Sequence, residues 1–577
     1  MEVNIISSAT KRNWRRLGTR VENRLVKGAN KRFSSKNIKP VEYFNDINNL
    51  CYLNDILEIA KALDIKTVIY SLALNLLSKN EMILLKSNNS FECPNIFLKE
   101  ILNDFAVKID KKILFTDIPQ NEPDFLGIVY QSLLKEGSKN INGSYYTPKS
   151  IIKNILNSLS SDSIFLDPCC GTGSFLLNAA DIVENPNNLY GVDKDEIACF
   201  ISKINLIIRF KDLEFSPNIF HADFLTDGCL KEIKFDVIAT NPPWGAKLCK
   251  NYEKFYPQIL SGETFSYFIV KSNSLLKKNG KAVFVLPQSI LNVASHKDVR
   301  SYILDNFNIK SINLLGRGFS GVLSNVVILE LNKQNKSNNV EIIINNKNYE
   351  VSQDVYKLDE NYNFSIINNR DFGILKKIYS IEHETLKNST FALGIVTGNN
   401  RKYLTVKESE GYEKIYTGKE VRAYFLNPAK KYVKYEREKF QQVASDEIYR
   451  SKEKLVYKFI SSTPVFAYDD TSSLFLNSAN IIIPQVETHS VKTVLAFLNS
   501  NLFKYIYMKK FNDLKILKSN LSRLPFPLLT EEKLNNLEQL VNHYYESKSE
   551  KYLEYIDEFV YECFKLNRDD ILYIKSN

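Results

Sequence analysis

The sequence predicts an α/β fold with a parallel sheet, between a helical region and a domain of mixed strands and helices. Three observations predict it. The run Ser163-Ile164-Phe165-Leu166 enters the turn Asp167-Pro168-Cys169-Cys170-Gly171-Thr172-Gly173 and passes at once into an apolar helix start, Ser174-Phe175-Leu176. A second strand, Leu189-Tyr190-Gly191-Val192-Asp193, ends on an acid about 20 residues beyond Gly173. A third apolar run, Phe235 to Thr240, delivers the quartet Asn241-Pro242-Pro243-Trp244.

Residues 1–140 read mainly as helices with a basic arm. Leu50 to Leu63, Lys66 to Leu77 and Phe125 to Leu134 place apolar residues at helical spacing. Lys11-Arg12-Asn13-Trp14-Arg15-Arg16 and Arg20 crowd the amino terminus, a mixture of cations and an aromatic that suits phosphates and bases. A nuclease would place an acid-x-Lys strand after an Asp. Pro123-Asp124 instead leads into a helical segment, and Glu136 is followed by Gly137-Ser138-Lys139, so a fused nuclease is not expected.

The catalytic domain is expected over 141–335. Asn142-Gly143-Ser144-Tyr145-Tyr146-Thr147-Pro148 precedes an amphipathic stretch, Lys149 to Leu159, and reads as a turn with Pro at the first helical position. For the glycine-rich turn the rival reading is a dinucleotide site. That fingerprint needs a third Gly for close helix packing, where this chain has Leu176, and Asp167-Pro168 stands at a strand end that it gives to Gly.

The quartet Asn241 to Trp244 bears on an otherwise unreactive amine. An exocyclic amino group of a nucleobase is planar and weakly nucleophilic, because its lone pair is delocalised into the ring. An Asn side-chain oxygen and the carbonyl of the following Pro can both accept its hydrogens, and two prolines hold those acceptors still. Trp244 then offers a flat face to the base. Alone, the same four residues would be an ordinary Pro-rich turn.

In combination these segments resemble the S-adenosylmethionine-dependent methyltransferases that modify exocyclic amines of DNA, specifically the N6-adenine class, with their Rossmann-like sheet. The resemblance implies that Asp167, Pro168, Gly171 and Gly173 hold the methionine part of the cofactor, helped by Tyr146, Thr147 and Pro148. It implies that Asp193 binds the ribose hydroxyls and that Asp223, in Phe220-His221-Ala222-Asp223-Phe224, contacts the cofactor's adenine. Asn241, Pro242, Pro243 and Trp244 match the catalytic motif, which usually carries Tyr or Phe at the fourth place. Phe319, within Gly316-Arg317-Gly318-Phe319-Ser320-Gly321, falls where the family sets a second aromatic against the extruded base. The motif order is the permutation with target recognition at the carboxyl end.

Beyond Leu331 a polar stretch opens a connecting region, 336–384. Leu393 to Asn400, Leu476 to Ile481, Leu495 to Ser500 and Leu521 to Pro527 then look like the TaqI-like specificity domain, expected over 385–530. Lys430-Lys431-Tyr432-Val433-Lys434-Tyr435 adds a cation and aromatic cluster there. Residues 531–577 are expected as a helical pair.

Composition agrees. The chain has 577 residues, too many for one core, with 44% hydrophobic residues and a net charge of +10. It shows no secretory signal and no apolar span of membrane length, so a soluble, cytoplasmic protein is expected. Eight Cys without Cys-x-x-Cys spacing argue against a metal site or a disulfide framework. The expected function is site-specific methylation of adenine N6 in double-stranded DNA, as the modification part of a restriction-modification or related defence system. Two alternatives stay open: an RNA or protein-glutamine methyltransferase, and a non-catalytic DNA-binding specificity subunit. Whether a separate specificity subunit or restriction endonuclease is a partner also stays open.

Overall fold

A computed structural model of the chain describes residues 44–577 except 87–89, 120, 135–146, 246–251, 317–324, 334–337, 346, 358–359 and 512–514. The described residues form two compact units, divided between Phe364 and Ser365.

The first unit begins with helices α1 (Leu50–Ala60), α2 (Ile65–Lys79), α3 (Ile96–Asp104) and α4 (Phe125–Leu133). Asp64 and Asn95 start α2 and α3 by accepting the backbone N–H of Thr67 and Leu98, which satisfies donors that no helix can pair internally. From Phe125 to Ser132, α4 is buried on every face. That burial follows from packing: Leu53, Val68 and Leu126 share one apolar cluster with Phe165, Leu176 and Val285 of the sheet region. The helical region is therefore part of the same core as the sheet.

The sheet has nine strands: β1 (Phe165–Asp167), β2 (Leu189–Asp193), β3 (Asn218–His221), β4 (Phe235–Thr240), β5 (Leu276–Pro287), β6 (Asn308–Gly316), β7 (Val326–Asn332), β8 (Asn339–Ile344) and β9 (Lys347–Ser352). Their order is β9-β8-β6-β7-β5-β4-β1-β2-β3. Pairing is parallel from β5 through β4 and β1 to β3, and β7 runs antiparallel between β5 and β6. Helices α5 (Lys149–Leu156), α6 (Ser174–Ala179), α7 (Glu196–Arg209), α8 (Thr264–Leu275) and α9 (Lys297–Asn306) accompany the strands. Full burial of β1 is what a parallel sheet with both faces covered requires.

Three local expectations change. Asn279-Gly280, a pair that by residue type favours a turn, is instead a bulge inside β5: Phe235 pairs with Leu276 but Val237 pairs with Lys281. Gly280 fits because a Cβ there would stand 2.9 Å from the Phe235 carbonyl oxygen. The stretch expected as a connecting region carries β8 and β9, the first pairing parallel with β6. Its polar residues alternate with Val340, Ile342 and Val351, which are buried, so composition hid an edge hairpin. Helix α5 starts at Lys149, with Pro148 as its cap at ψ 141°, one residue later than Pro at the first helical position would give.

The second unit holds two four-stranded sheets, one through Thr390–Ala392, Ala479–Ile483, Lys454–Lys458 and Phe466–Asp469, the other through Leu404–Thr405, Lys431–Val433, Glu413–Tyr416 and Leu474–Phe475. Ile395, Ile415, Val456, Phe475 and Ile481 centre its core. Three helices rather than a pair end the chain: Glu531–Ser547, Lys551–Cys563 and Arg568–Ser576. Polar contacts fasten them to this unit, including Lys492 Nζ to Asn542 Oδ1 at 2.7 Å and the Asn501 amide to Asp557 at 2.6 Å.

Candidate active site

Asp167, Asp193 and Asn241 end or directly follow β1, β2 and β4, and Asp223 lies two residues beyond β3. These four parallel strands are neighbours in the order β4-β1-β2-β3. Strand order thus gathers four chain segments at one carboxyl edge, where open α/β sheets bind ligands.

The turn after β1 is built to let its backbone face inward. Gly171 and Gly173 take φ of +52° and +94°, left-handed conformations that favour glycine. At Gly173 a Cβ would also lie 2.7 Å from Ser202 Oγ of α7. Asp167 Oδ1 accepts the Cys169 N–H at 3.1 Å, and burial pushes its carboxyl up to about 7. Asp193 Oδ2 accepts the Gly171 N–H at 2.8 Å, and its Oδ1 accepts the Asp195 N–H at 2.9 Å. The acid at the end of β2 therefore braces the glycine turn as well as facing the edge.

Beneath this turn lies Asp124, one residue before α4. Its Oδ2 accepts from Ser174 Oγ at 3.1 Å and Thr172 Oγ1 at 3.3 Å, and its Oδ1 from Asn205 Nδ2 at 2.8 Å. Burial pushes its carboxyl up to about 6. Asn205 also donates to the Thr172 carbonyl at 3.0 Å. In the sequence Asp124 stands only before a helical segment, without the acid-x-Lys strand of a nuclease. The signal that could have found it was Gly127, three places on, where a Cβ would sit 2.2 Å from Asp124 Oδ1.

Asp223 is engaged by residues that sequence reasoning missed. Its Oδ2 accepts from Tyr252 Oη at 3.0 Å and lies 3.3 Å from Lys194 Nζ, while its Oδ1 accepts the Leu225 N–H at 3.1 Å. Lys194 Nζ donates to Tyr252 Oη at 2.7 Å. Lys194 directly follows Asp193, and Tyr252 lies just beyond the quartet, so neither spacing nor type singled them out.

The quartet leaves the centre of the sheet at the end of β4. Asn241 Nδ2 donates to Thr147 Oγ1 at 3.1 Å, joining the segment before α5 to the quartet. Pro242 is buried, and Asn241, Pro243 and Trp244 are half-buried. Trp244 Nε1 donates to the Val285 carbonyl of β5 at 3.2 Å, and the ring packs on the main apolar cluster. Gly245 follows at φ +60°, its N–H donating to Glu263 Oε1 at 2.7 Å. Tyr146 and Phe319 lie outside the described residues. In the second unit, Lys430 and Lys434 of the cation and aromatic cluster are exposed.

Among the described residues no group of three or more His, Cys, Asp or Glu is placed to hold a metal ion, and no helix is long and apolar enough to cross a membrane.

A left-handed glycine turn braced by an acid from the next strand, with Asn-Pro-Pro-aromatic on the strand to its other side, is an arrangement that fits a methyltransferase of the Rossmann-like kind. Known proteins agree. Residues 121–392 match the N-6 DNA Methylase family, and residues 413–526 match the TaqI-like C-terminal specificity domain. The Type II methyltransferase M.VspI of Vibrio sp. (strain 343) is 36% identical over 328 residues, 54% of this chain and 79% of that protein. The Type I restriction enzyme EcoEI methylase subunit of Escherichia coli is 26% identical over 229 residues, 36% of this chain and 46% of that protein. The restriction-modification enzyme MmeI, solved with DNA, shares the fold at a TM-score of 0.62 and 13% identity, over 91% of this chain and 93% of that one. The chain belongs to the N-6 DNA methylase family. It is a DNA methyltransferase, and its methyl donor is S-adenosylmethionine.

Proposed function

We propose that the chain methylates N6 of an adenine extruded from duplex DNA at a specific site, as the modification part of a restriction-modification or related defence system. The observation that carries this reading is the adjacency of β1 and β4, which sets the quartet Asn241 to Trp244 beside the glycine turn Asp167 to Gly173. A donor-holding turn and an amine-accepting quartet at neighbouring strand ends is what in-line transfer needs.

The residues fit the donor: two left-handed glycines open the turn, and a Cβ at Gly173 would drive into α7. In this reading Asp167, Pro168, Gly171 and Gly173, with Tyr146, Thr147 and Pro148, hold the methionine end, Asp193 the ribose and Asp223 the adenine. Bound S-adenosylmethionine supplies a methyl group activated by a sulfonium. The chain supplies the geometry. Asn241 and the Pro242 carbonyl accept the two hydrogens of the target amine and localise its lone pair on nitrogen, out of conjugation with the ring, and the bond to Thr147 sets which way the Asn241 amide points. As the nitrogen gains positive charge these two acceptors hold it more strongly than they held the neutral amine, so they favour the transition state.

Trp244, with Phe319, receives the base. Extrusion costs a few kcal/mol, and stacking returns about 1 to 3 kcal/mol per base, so extrusion becomes accessible once phosphate contacts contribute. The match of residues 413–526 to a specificity domain supports target reading within this chain.

Long-read modification sequencing of a methylation-free host expressing the protein, beside Asn241→Ala, tests the reading. N6-methyladenine at one motif, absent from the variant, is the expected result. A variant that modifies DNA at the wild-type rate overturns it.

A further inference from the structure

The segment that leaves the quartet presents apolar side chains to solvent. Leu260 is 82% exposed, more than any other large apolar side chain among the described residues, and Phe255, five positions earlier, is 60% exposed. Single exposed apolar residues are ordinary on a protein surface. Leu260 is set apart by how its backbone is held. Asp298, in the first turn of α9, accepts the N–H of Leu260 at 2.6 Å and of Ser261 at 2.7 Å on the same oxygen, Oδ2. On one side Ile259 is wholly buried and its N–H donates to the Tyr256 carbonyl at 3.1 Å. On the other side Gly262 turns the chain at φ +68°, and Glu263 accepts the N–H of Gly245, the residue after Trp244, at 2.7 Å. The side chain projects from a stapled loop.

Topology gives the loop its address. It joins β4 to α8, and Asp298 belongs to the helix that follows β5, so both lie at the carboxyl edge that gathers the quartet and the glycine turn. Three residues of chain span at most about 11 Å, which ties Leu260 closely to Glu263 and through it to Gly245. A duplex delivering a base to Trp244 must pass over this edge.

We propose that Leu260 is a wedge that enters the DNA stack beside the target and occupies space vacated by the extruded base; this rests on the base-extrusion reading above. An extruded base leaves neighbouring pairs unstacked around a void that water fills poorly. An apolar side chain on a rigid loop restores contact there without losing much freedom of its own, and Leu is among the residues that proteins insert between base steps. The occupant is duplex DNA: a wedge needs one projecting side chain on a fixed backbone, which Asp298 provides. Leu260 is then a positioning residue, acting on the DNA rather than on the reacting atoms.

The test uses the full chain and a duplex oligonucleotide carrying the site that modification sequencing of the wild type identifies. Methyl transfer is compared for wild type, Leu260→Ala and Leu260→Met on the paired duplex and on one with an abasic position opposite the target, which removes the pairing cost. Leu260→Ala is expected to lose about tenfold or more in kcat/KM for paired DNA and under about twofold on the unpaired duplex, with cofactor affinity unchanged and Leu260→Met close to wild type. Equal losses on both duplexes, or wild-type rates on the paired one, overturn the wedge. Sequencing that finds no N6-methyladenine made by the wild type overturns the proposed function, and the wedge with it.

Discussion

Thr147 and Asn241 are hydrogen-bonded at 3.1 Å across 94 positions of chain, the Asn amide donating to the Thr hydroxyl. An Asn amide has one accepting and one donating end, so a partner for its nitrogen decides where its oxygen points. Thr147→Val removes the acceptor and keeps the shape. It should lower single-turnover methyl transfer about tenfold, the value of one ordinary hydrogen bond, while Thr147→Ser keeps most of the rate. Equal rates for Val and Ser would remove this orienting role.

Asp124 draws Thr172, Ser174 and Asn205 onto one buried carboxyl group. Asp124→Ala leaves those donors facing a void and should cost on the order of 2 to 4 kcal/mol by urea denaturation, with weaker cofactor binding in a titration. Asp124→Asn should do far less harm: its amide nitrogen can face the two hydroxyls, which rotate to accept, while its oxygen still accepts from Asn205.

Acidity should be felt at Asp167. Burial raises its folded-state value to about 7, above the unfolded carboxylate range, so the native state binds the proton more tightly than the unfolded chain does. The stability this adds is full below about pH 4 and is lost as pH rises through about 7. Asp167→Asn should therefore match the wild type near pH 4 and exceed it at pH 8, by on the order of a few kcal/mol in the cofactor-free protein. A stability difference that does not change with pH would contradict this.

In the second unit Lys454 and Asp469 form an ion pair at 2.6 Å with side chains 0% and 1% exposed. Lys454 Nζ also donates to the Tyr449 carbonyl at 2.8 Å. Removing one partner strands the other charge, so Lys454→Met should destabilise the chain by about 3 to 5 kcal/mol in chemical denaturation. Replacing both by apolar residues should recover most of that loss.

The sheet's parallel half and the quartet were legible because each element is local: an apolar run, a glycine turn, Asn-Pro-Pro-Trp. The edge hairpin at 339–352 was not, since Asn and Lys on its exposed face concealed the alternation of Val340 and Ile342. Asp124, Lys194, Tyr252 and Glu263 were missed for a different reason. Each acts through a partner from 18 to 81 positions away, and no periodicity records a distant partner.

By itself, then, the sequence determined the class of fold, the glycine turn and the family resemblance, because those depend on residue type and short spacing. Only the tertiary structure decided which side chains support them. A buried carboxyl group at Asp124, the tie from Thr147 to Asn241 and the stapled loop at Leu260 exist because strand order and helix packing bring remote segments within hydrogen-bond reach. Pairing of that kind is set by packing of the whole core, which no local stretch of residues encodes.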